Sequence, residues 1–280
     1  MRTAGACLLI PRCSSFIRLN LKNNGMTHID YVKSKLFWDT RAAALGKKES
    51  ILITTLQDDI PAISDYRDKT EKAHFFRIVP LHKEMRVLDL GGGAGRWAAA
   101  LAPYVAHVTV VDFSAEIIDI AKDVLREKGC TNISFIRCPV DAFQSDEKFD
   151  IILLSGILMY VNDADLDLIM LHCCDMLTDK GKVVLREGIN LKGKVVQADT
   201  YVSELGTRYN VIWRHPQEYI DLFEKKCKLT YWADAFPFLV PVFLYKRLLP
   251  ESIRRRKPAQ RLLRSFLFLQ SHAFYPFLFC

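Results

Sequence analysis

The chain has 280 residues, of which half are hydrophobic, and a formal net charge of +7 at pH 7. This length suits one large packed domain with additions, or two small domains. Eight cysteines form no C-x-x-C pair and have no histidine partner at zinc spacing, which argues against a disulfide framework or a metal site. Residues 1–29 carry four bases and no acid, and residues 241–280 carry eight bases and one acid. The body between them is acidic, which disfavours nucleic acid as a partner.

The N-terminal segment, residues 1–25, has arginine and serine but no acid, and its apolar run from Cys7 to Ile10 is too short to span a membrane. We expect a disordered tail, or extra sequence upstream of a start at Met26, with an organelle transit peptide as the alternative. Apolar side chains at helical spacing then predict two helices, Tyr31–Leu45 and Tyr66–Val79.

The central pattern is a strand, a glycine turn and a helix. Val87 to Leu90 is an apolar run that indicates a buried strand, and a helical pattern starts at Arg96. Four glycines lie between them: Gly91, Gly92, Gly93 and Gly95. A second strand, His107 to Val111, ends on Asp112, 21 residues beyond Gly91. This order predicts a nucleotide-like ligand at the carboxyl ends of the strands, with Asp112 on a ribose diol.

Two classes of cofactor use such a turn. A dinucleotide prefers G-x-G-x-x-G, but Arg96 stands where the last glycine is needed. The segment VLDLGGGAGRW resembles motif I of the class I S-adenosylmethionine (SAM) dependent methyltransferases, and Asp89, Gly91, Gly93 and Gly95 fit that motif. An acid just before the glycines repels a pyrophosphate and attracts a sulfonium. An NAD(P)-dependent oxidoreductase and a non-catalytic partner subunit with this fold remain as alternatives.

The resemblance implies an α/β fold with a doubly wound, mostly parallel seven-stranded sheet and a terminal antiparallel hairpin. We expect this domain to occupy residues 26–248, with an irregular insert from Gly188 to Gly206. The remaining strands are expected at Ile133–Cys138, Phe149–Leu154, Lys182–Leu185, Lys228–Phe236 and Val240–Tyr245. Helices are expected after the Ser114 cap, from Leu166 to Leu177, and from His215.

The resemblance also implies which residues bind SAM. Arg67 is expected to pair with the SAM carboxylate, and Asp141, in the loop after the third strand, with the adenine amino group. The whole predicted cofactor set is Arg67, Asp89, Gly91, Gly93, Gly95, Asp112, Phe113, Val140, Asp141 and Ser155. The segment SGILMYV after the fourth strand matches the edge of the pocket where the transferred methyl group lies in this family.

The expected reaction is methyl transfer to a hydroxyl of a small molecule, sugar or lipid-linked acceptor, with a small amine as the alternative. A hydroxyl acceptor benefits from a general base. Glu187, at the end of the fifth strand, is the first candidate, and His215 is the second. The chain has no [DNS]-P-P-[YF] motif after the fourth strand, a motif that marks many methyltransferases acting on bases or glutamine.

The C-terminal extension, residues 249–280, combines six bases with two aromatic runs. This composition favours peripheral contact with an anionic membrane surface through residues 250–280. A helix that packs on the domain or on a second subunit is the alternative. The expected location is cytoplasmic, including the inner face of the membrane, and the oligomeric state is open.

Overall fold

The computed structural model describes nine stretches of the chain: residues 5–11, 28–45, 61–190, 192–202, 207–226, 228–235, 248–254, 256–259 and 261–263. The chain divides into two compact units. The first contains residues 1–54 and 80–235, and the second contains residues 55–79 and 236–280.

The first unit is built on a parallel sheet, five of whose strands are β2 (Arg86–Leu90), β3 (His107–Asp112), β4 (Ile133–Arg137), β5 (Phe149–Ser155) and β6 (Leu177–Arg186). These five strands follow the order β4-β3-β2-β5-β6, with β4 at the edge of the sheet. Strands β2, β3 and β5 are short apolar runs, and their buried patterns fit a sheet covered on both faces. The order reverses between β2 and β5, and ligands of open α/β sheets bind at such a reversal.

Two more strands extend the sheet beyond β6. These are β1 (Gly5–Pro11), which pairs in parallel with β6, and β9 (Lys228–Ala235), which pairs in parallel with β1. Residues 5–11 were expected in a disordered tail, and their apolar run instead forms a strand. The expected terminal hairpin has its first strand, residues 228–236, at β9, which runs parallel to β1. Its other predicted strand, residues 240–245, lies outside the described residues.

The segment expected to be an irregular insert, Gly188 to Gly206, contains the first strand of an antiparallel hairpin. Its strands are β7 (Val195–Val202) and β8 (Thr207–Trp213), which form a separate two-stranded sheet. The register shifts between Gln197 and Thr200, and Asp199 there has a φ of +50°. This bulge removes the strict alternation of polar and apolar residues that identifies a strand.

The helices of the described chain lie close to their predicted positions. Their bounds are α1 (Tyr31–Leu45), α2 (Pro61–Ile78), α3 (Arg96–Leu101), α4 (Ala115–Glu127), α5 (Asp163–Met176), α6 (Pro216–Glu224) and α7 (Glu251–Arg254). The side chain of Ser114 caps α4 by accepting a hydrogen bond from the N–H of Ile117, as the sequence predicts. The helix after the glycine turn is shorter than expected, since a 3₁₀ turn over Ala102–Tyr104 takes its end.

The core of the first unit lies between the central strands and the helices α5 and α6. Leu88, Leu154 and Val183 on the strands are completely buried. On the helices, Ile169 and Phe223 are completely buried as well. Close packing of these side chains fixes the sheet beneath the carboxyl ends of β2, β3 and β5, which carry the predicted site residues.

Candidate functional site

The glycine turn between β2 and α3 has a backbone conformation that residues with side chains rarely adopt. Gly91, Gly93 and Gly95 have φ values of +76°, +54° and +76°. At Gly91 a Cβ atom would lie 2.6 Å from Cγ1 of Ile157, which is closer than real Cβ contacts. Glycine at position 91 therefore lets the turn at the end of β2 pack directly against the chain that leaves β5.

Asp112, at the end of β3, holds this glycine turn in shape. Its Oδ2 accepts a hydrogen bond of 3.0 Å from the N–H of Gly93, and its Oδ1 accepts one of 3.0 Å from the N–H of Ser114. Burial raises the pKa of Asp112 to about 6, against the effect of these N–H donors. The structure thus brings Asp112 and Gly93 together, as the motif predicts, and leaves each carboxylate oxygen with a further lone pair.

Asp89 is a buried carboxylate at the start of the same turn. It is 1% exposed, and neither oxygen has a hydrogen-bond partner of adequate geometry among the described residues. Burial raises its pKa to about 7. The charge of Arg96 and the backbone N–H of Ala98 oppose that shift, and the charge of Asp112 adds to it. An ionised carboxylate without a partner is costly to bury. A cationic ligand at this turn would offset part of that cost.

The residues expected around adenine lie directly after β3 and in the turn after β4. Phe113 is half-buried, and the Nζ atom of Lys35 lies 6.0 Å from the centroid of its ring. Val140 and Asp141 lie in the turn after β4 and are also half-buried. The N–H of Cys138 donates to the carbonyl of Asp112 over 3.0 Å, which attaches that turn to the end of β3. Binding by these three residues stays a prediction.

Ser155 and Arg67, the other two predicted cofactor residues, both make contacts within the protein. The Oγ atom of Ser155 accepts a 2.7 Å hydrogen bond from Nε1 of Trp97, which connects the end of β5 to α3. Arg67 belongs to the second unit, and its Nε donates to Oε1 of Glu71 on the same helix over 2.9 Å. Their contacts with SAM stay predictions.

Glu187, the first candidate for a general base, is held by backbone donors. Its Oε1 accepts the N–H groups of Ile157 and Leu158, both at 2.8 Å, and its Oε2 accepts the N–H of Met159 at 3.2 Å. The residue is 0% exposed, and burial raises its pKa to about 7. A general base must reach the proton that it removes. These contacts disfavour that role for Glu187 and indicate that it positions the turn.

His215, the second candidate, begins α6. Its Nδ1 accepts a 3.2 Å hydrogen bond from the N–H of Gln217, and its own N–H donates to Oε1 of Glu218 over 3.0 Å. Together these bonds form a capping box. The structure accounts for His215 as a helix cap, and its catalytic role stays a prediction that this contact disfavours.

Arg214 is a buried residue of this region that the sequence patterns did not single out. It is 1% exposed, and its Nη1 donates to the carbonyl of Leu158 over 2.6 Å. Its Nη2 donates to the carbonyl of Val161 over 2.5 Å, and its Nε donates to Oδ1 of Asp163 over 3.0 Å. An arginine after a strand gives no sign of burial in sequence, so only the tertiary contacts reveal it.

Helix α1 lies across the same edge of the sheet. Oδ1 of Asp39 accepts a 2.6 Å hydrogen bond from Oγ of Ser114, and the hydroxyl of Tyr31 accepts one of 2.8 Å from the N–H of Asn162. Two aromatic residues of this helix form a cluster with one residue of the turn after β5 and one of β8: Phe37, Trp38, Tyr160 and Tyr209. The predictions placed no site residue on α1, because amphipathic spacing identifies a helix but not the element that it covers.

Comparison with known proteins agrees with this geometry. The family described as "Methyltransferase domain" matches residues 87–181. Residues 87–181 are therefore similar to a methyltransferase domain. The match contains the glycine turn, both carboxylates and the turn after β5, and it sets aside the oxidoreductase alternative.

Individual relatives of the methyltransferase domain differ in how much of the chain they cover. Phosphoethanolamine N-methyltransferase 1 of Zea mays is 25% identical over 215 residues, which cover 76% of this chain and 39% of the relative. An uncharacterized methyltransferase of Bacillus subtilis (strain 168), YcgJ, is 40% identical over 70 residues, or 25% of this chain and 28% of the relative. The chain spans between 29% and 39% of the length of the first curated relatives that it matches.

A solved structure has the same fold. Phosphoethanolamine N-methyltransferase 1 of Haemonchus contortus, in complex with phosphoethanolamine and S-adenosylhomocysteine, superposes with a TM-score of 0.54 and 21% identity. The superposition covers 68% of this chain and 39% of that protein. At this identity the likeness establishes the architecture of the methyltransferase domain.

Proposed function

We propose that this protein binds SAM at the glycine turn and transfers its methyl group to a small-molecule acceptor. The observation that carries the proposal is the pair of buried carboxylates, Asp89 and Asp112, around a turn made of four glycines and Ala94. Such a site favours a cationic ligand and opposes a pyrophosphate. The methyltransferase-domain match over residues 87–181 supports the same conclusion.

SAM supplies a methyl group on a positively charged sulfur, which a nucleophile accepts with little covalent help from the protein. The residues of this chain then bind and orient. Asp112 has lone pairs left for a ribose diol, and Asp89 offsets the positive charge of the ligand. Phe113, Val140 and Asp141 surround the place expected for adenine. Fixing both reactants in one geometry and excluding water is where we expect the rate enhancement to arise.

An amine acceptor gains support over the hydroxyl that the sequence favours. A hydroxyl benefits from a general base, and both candidates, Glu187 and His215, have their side chains engaged by backbone N–H groups. An amine that has lost its proton to water presents its lone pair without a base. Aromatic faces attract the protonated form of such an acceptor, and the aromatic cluster of α1, Tyr160 and Tyr209 includes a residue of the 3₁₀ turn after β5. Relatives named phosphoethanolamine N-methyltransferase also favour nitrogen.

Calorimetry with SAM, S-adenosylhomocysteine and NADH tests the proposal directly. We expect binding of the first two and no binding of NADH. Asp112→Ala should weaken SAM binding, while Asp119→Ala, which removes an exposed carboxylate on α4, should not. Absence of SAM binding, or equal affinity of the Asp112→Ala variant and the original chain, would overturn the proposal.

Release of S-adenosylhomocysteine with pooled amines, phenols, sugars and lipid extracts then identifies the acceptor. Turnover with amines supports nitrogen as the acceptor of the methyl group, and turnover with sugars or phenols supports a hydroxyl instead. A chain that binds SAM tightly but turns over with none of these pools would instead support the non-catalytic partner subunit.

We also propose peripheral contact with an anionic membrane surface through residues 250–280. Within the described part of this segment, Ile253 and Leu262 are exposed apolar side chains, and Arg256 and Lys257 are exposed bases. Apolar and cationic groups together suit the headgroup region of an anionic bilayer. The helices among the described residues include none long and apolar enough to cross a membrane.

A further inference from the structure

The turn that follows β5 is held on one side by a buried carboxylate. Residues Leu158–Tyr160 form this 3₁₀ turn, and Glu187 accepts the N–H groups of Ile157, Leu158 and Met159. These are the donors that the start of a helical turn leaves without partners. One completely buried side chain therefore satisfies the amino end of the turn.

The other side of the turn is held by a buried guanidinium. Arg214 donates to the carbonyls of Leu158 and Val161, and Oδ1 of Asp163 anchors it through two further hydrogen bonds. A planar guanidinium with fixed donors defines the position of each acceptor more strictly than a lysine does. Glu187 and Arg214 thus fix the donors and the acceptors of the same turn.

This turn connects the two halves of the proposed site. At its start, the side chain of Ile157 fills the space where a Cβ of Gly91 would lie. Three residues later, the hydroxyl of Tyr160 is hydrogen-bonded to that of Tyr209, and its ring meets the ring of Trp38 edge to face with centroids 5.5 Å apart. A shift of the glycine turn would reach Tyr160 through a segment that has little freedom to absorb it.

We propose that Glu187 and Arg214 are positioning residues that make the location of Tyr160 depend on occupancy of the glycine turn. The inference rests on the proposed SAM site and adds a coupling between that site and the aromatic cluster. Burying two charged groups is costly unless each is fully hydrogen-bonded, and here nearly all of their bonds go to this one turn or to the start of the helix that follows it. Apolar side chains could fill the same space, but only the hydrogen bonds of Glu187 and Arg214 fix the position of the turn.

The coupling is measured by ¹⁹F NMR of the full chain labelled with 3-fluorotyrosine, using S-adenosylhomocysteine as the probe. The Tyr160→Phe variant assigns the Tyr160 signal. We expect saturation with the probe to shift this signal in the original chain. Glu187→Gln, Arg214→Lys and Asp163→Ala should reduce the shift at saturation at least about two-fold, with the probe Kd changed by less than about three-fold.

The control is Lys194→Ala, which removes a second cation from Asp163 without touching Arg214. It should keep the original shift. Asp163 has a side chain that is 55% exposed, so its alanine variant should fold even if Arg214→Lys does not. A merely structural role would lower stability or affinity and leave the shift at saturation unchanged.

The outcomes separate this inference from the proposed function. Absence of probe binding in the original chain overturns the SAM site. Hydrogen exchange of residues 155–162 without ligand then tests whether Glu187 restrains the turn. Faster exchange in Glu187→Gln than in the original chain supports the restraint, and an unchanged exchange rate contradicts it. Probe binding with a full Tyr160 shift in all folded variants, or with no shift in the original chain, shows that the coupling does not exist.

Discussion

The affinity for SAM should depend on pH, because the carboxylates at the glycine turn ionise near neutrality. Burial raises the pKa of Asp89 to about 7 and that of Asp112 to about 6. The ionised forms attract a sulfonium and the neutral forms do not. Lowering the pH therefore makes protonation compete with SAM binding.

The magnitude follows from the two pKa values. If SAM binds only when Asp89 is ionised, binding at pH 6 is about ten-fold weaker than at pH 8. The same requirement at Asp112 adds roughly a further factor of two. The combined loss of about twenty-fold corresponds to about 1.8 kcal/mol of binding free energy.

Titration calorimetry at pH 6, 7 and 8 measures this dependence. At pH 7, repeating the titration in buffers of different ionisation enthalpy should show release of a fraction of a proton on binding. Asp89→Asn should bind more weakly at pH 8 and lose most of the pH dependence. Glu187 also has a pKa raised to about 7 by burial, so Glu187→Gln is the matched control and should keep the dependence. An affinity that is constant from pH 6 to 8, with no proton released, would refute the electrostatic role of Asp89.

Three further predictions concern stability, the glycine turn and the membrane surface. The folded-state pKa values of Asp89 and Glu187 lie above their ordinary values, so folding favours their protonated forms. The free energy of unfolding without ligand, measured by urea titration, should therefore fall by about 1.5 kcal/mol from pH 6.5 to 8.5. A rise in this free energy over the same range would contradict the prediction. Gly91→Ala should abolish SAM binding in calorimetry because its Cβ meets Ile157, whereas Gly129→Ala, with a similar φ of +72° and open space around it, should cost about 1 kcal/mol and leave binding intact. Deletion of residues 250–280 should abolish co-sedimentation with phosphatidylglycerol vesicles, and the full chain should not co-sediment with phosphatidylcholine vesicles. A truncated chain that still co-sediments with phosphatidylglycerol vesicles would show that the contact lies elsewhere.

The glycine turn and the carboxylate proposed to bind SAM could be predicted because their sequence signals are local. The apolar run at Val87–Leu90, the glycines after it and the carboxylate of Asp112 follow one another within one strand-turn-helix-strand unit, and the structure brings them together. The helix Tyr31–Leu45 was predicted with its observed bounds, since amphipathic spacing and the following glycine are also local features.

The second half of the site depends on contacts between residues far apart in sequence. The bulge at Asp199 hides the hairpin, because it breaks the alternation by which a strand is recognised. Glu187 is a charged residue after a strand, which in sequence looks like a candidate base. Its role depends on the N–H groups of residues 157–159, some 30 residues earlier. Burial of Arg214 is likewise a property of the folded chain alone.

The position of Arg214 directly after the hairpin has a consequence for protein engineering. Tyr209 on β8 belongs to the aromatic cluster, so exchanging residues 195–213 with those of a relative is a natural route to a new acceptor preference. A graft that stops at residue 213 keeps Arg214 but changes the strand that delivers its guanidinium to the carbonyls of Leu158 and Val161. Exchanges that preserve the length and register of β8 should therefore retain turnover, and those that shift it by one residue should yield folded proteins with little activity.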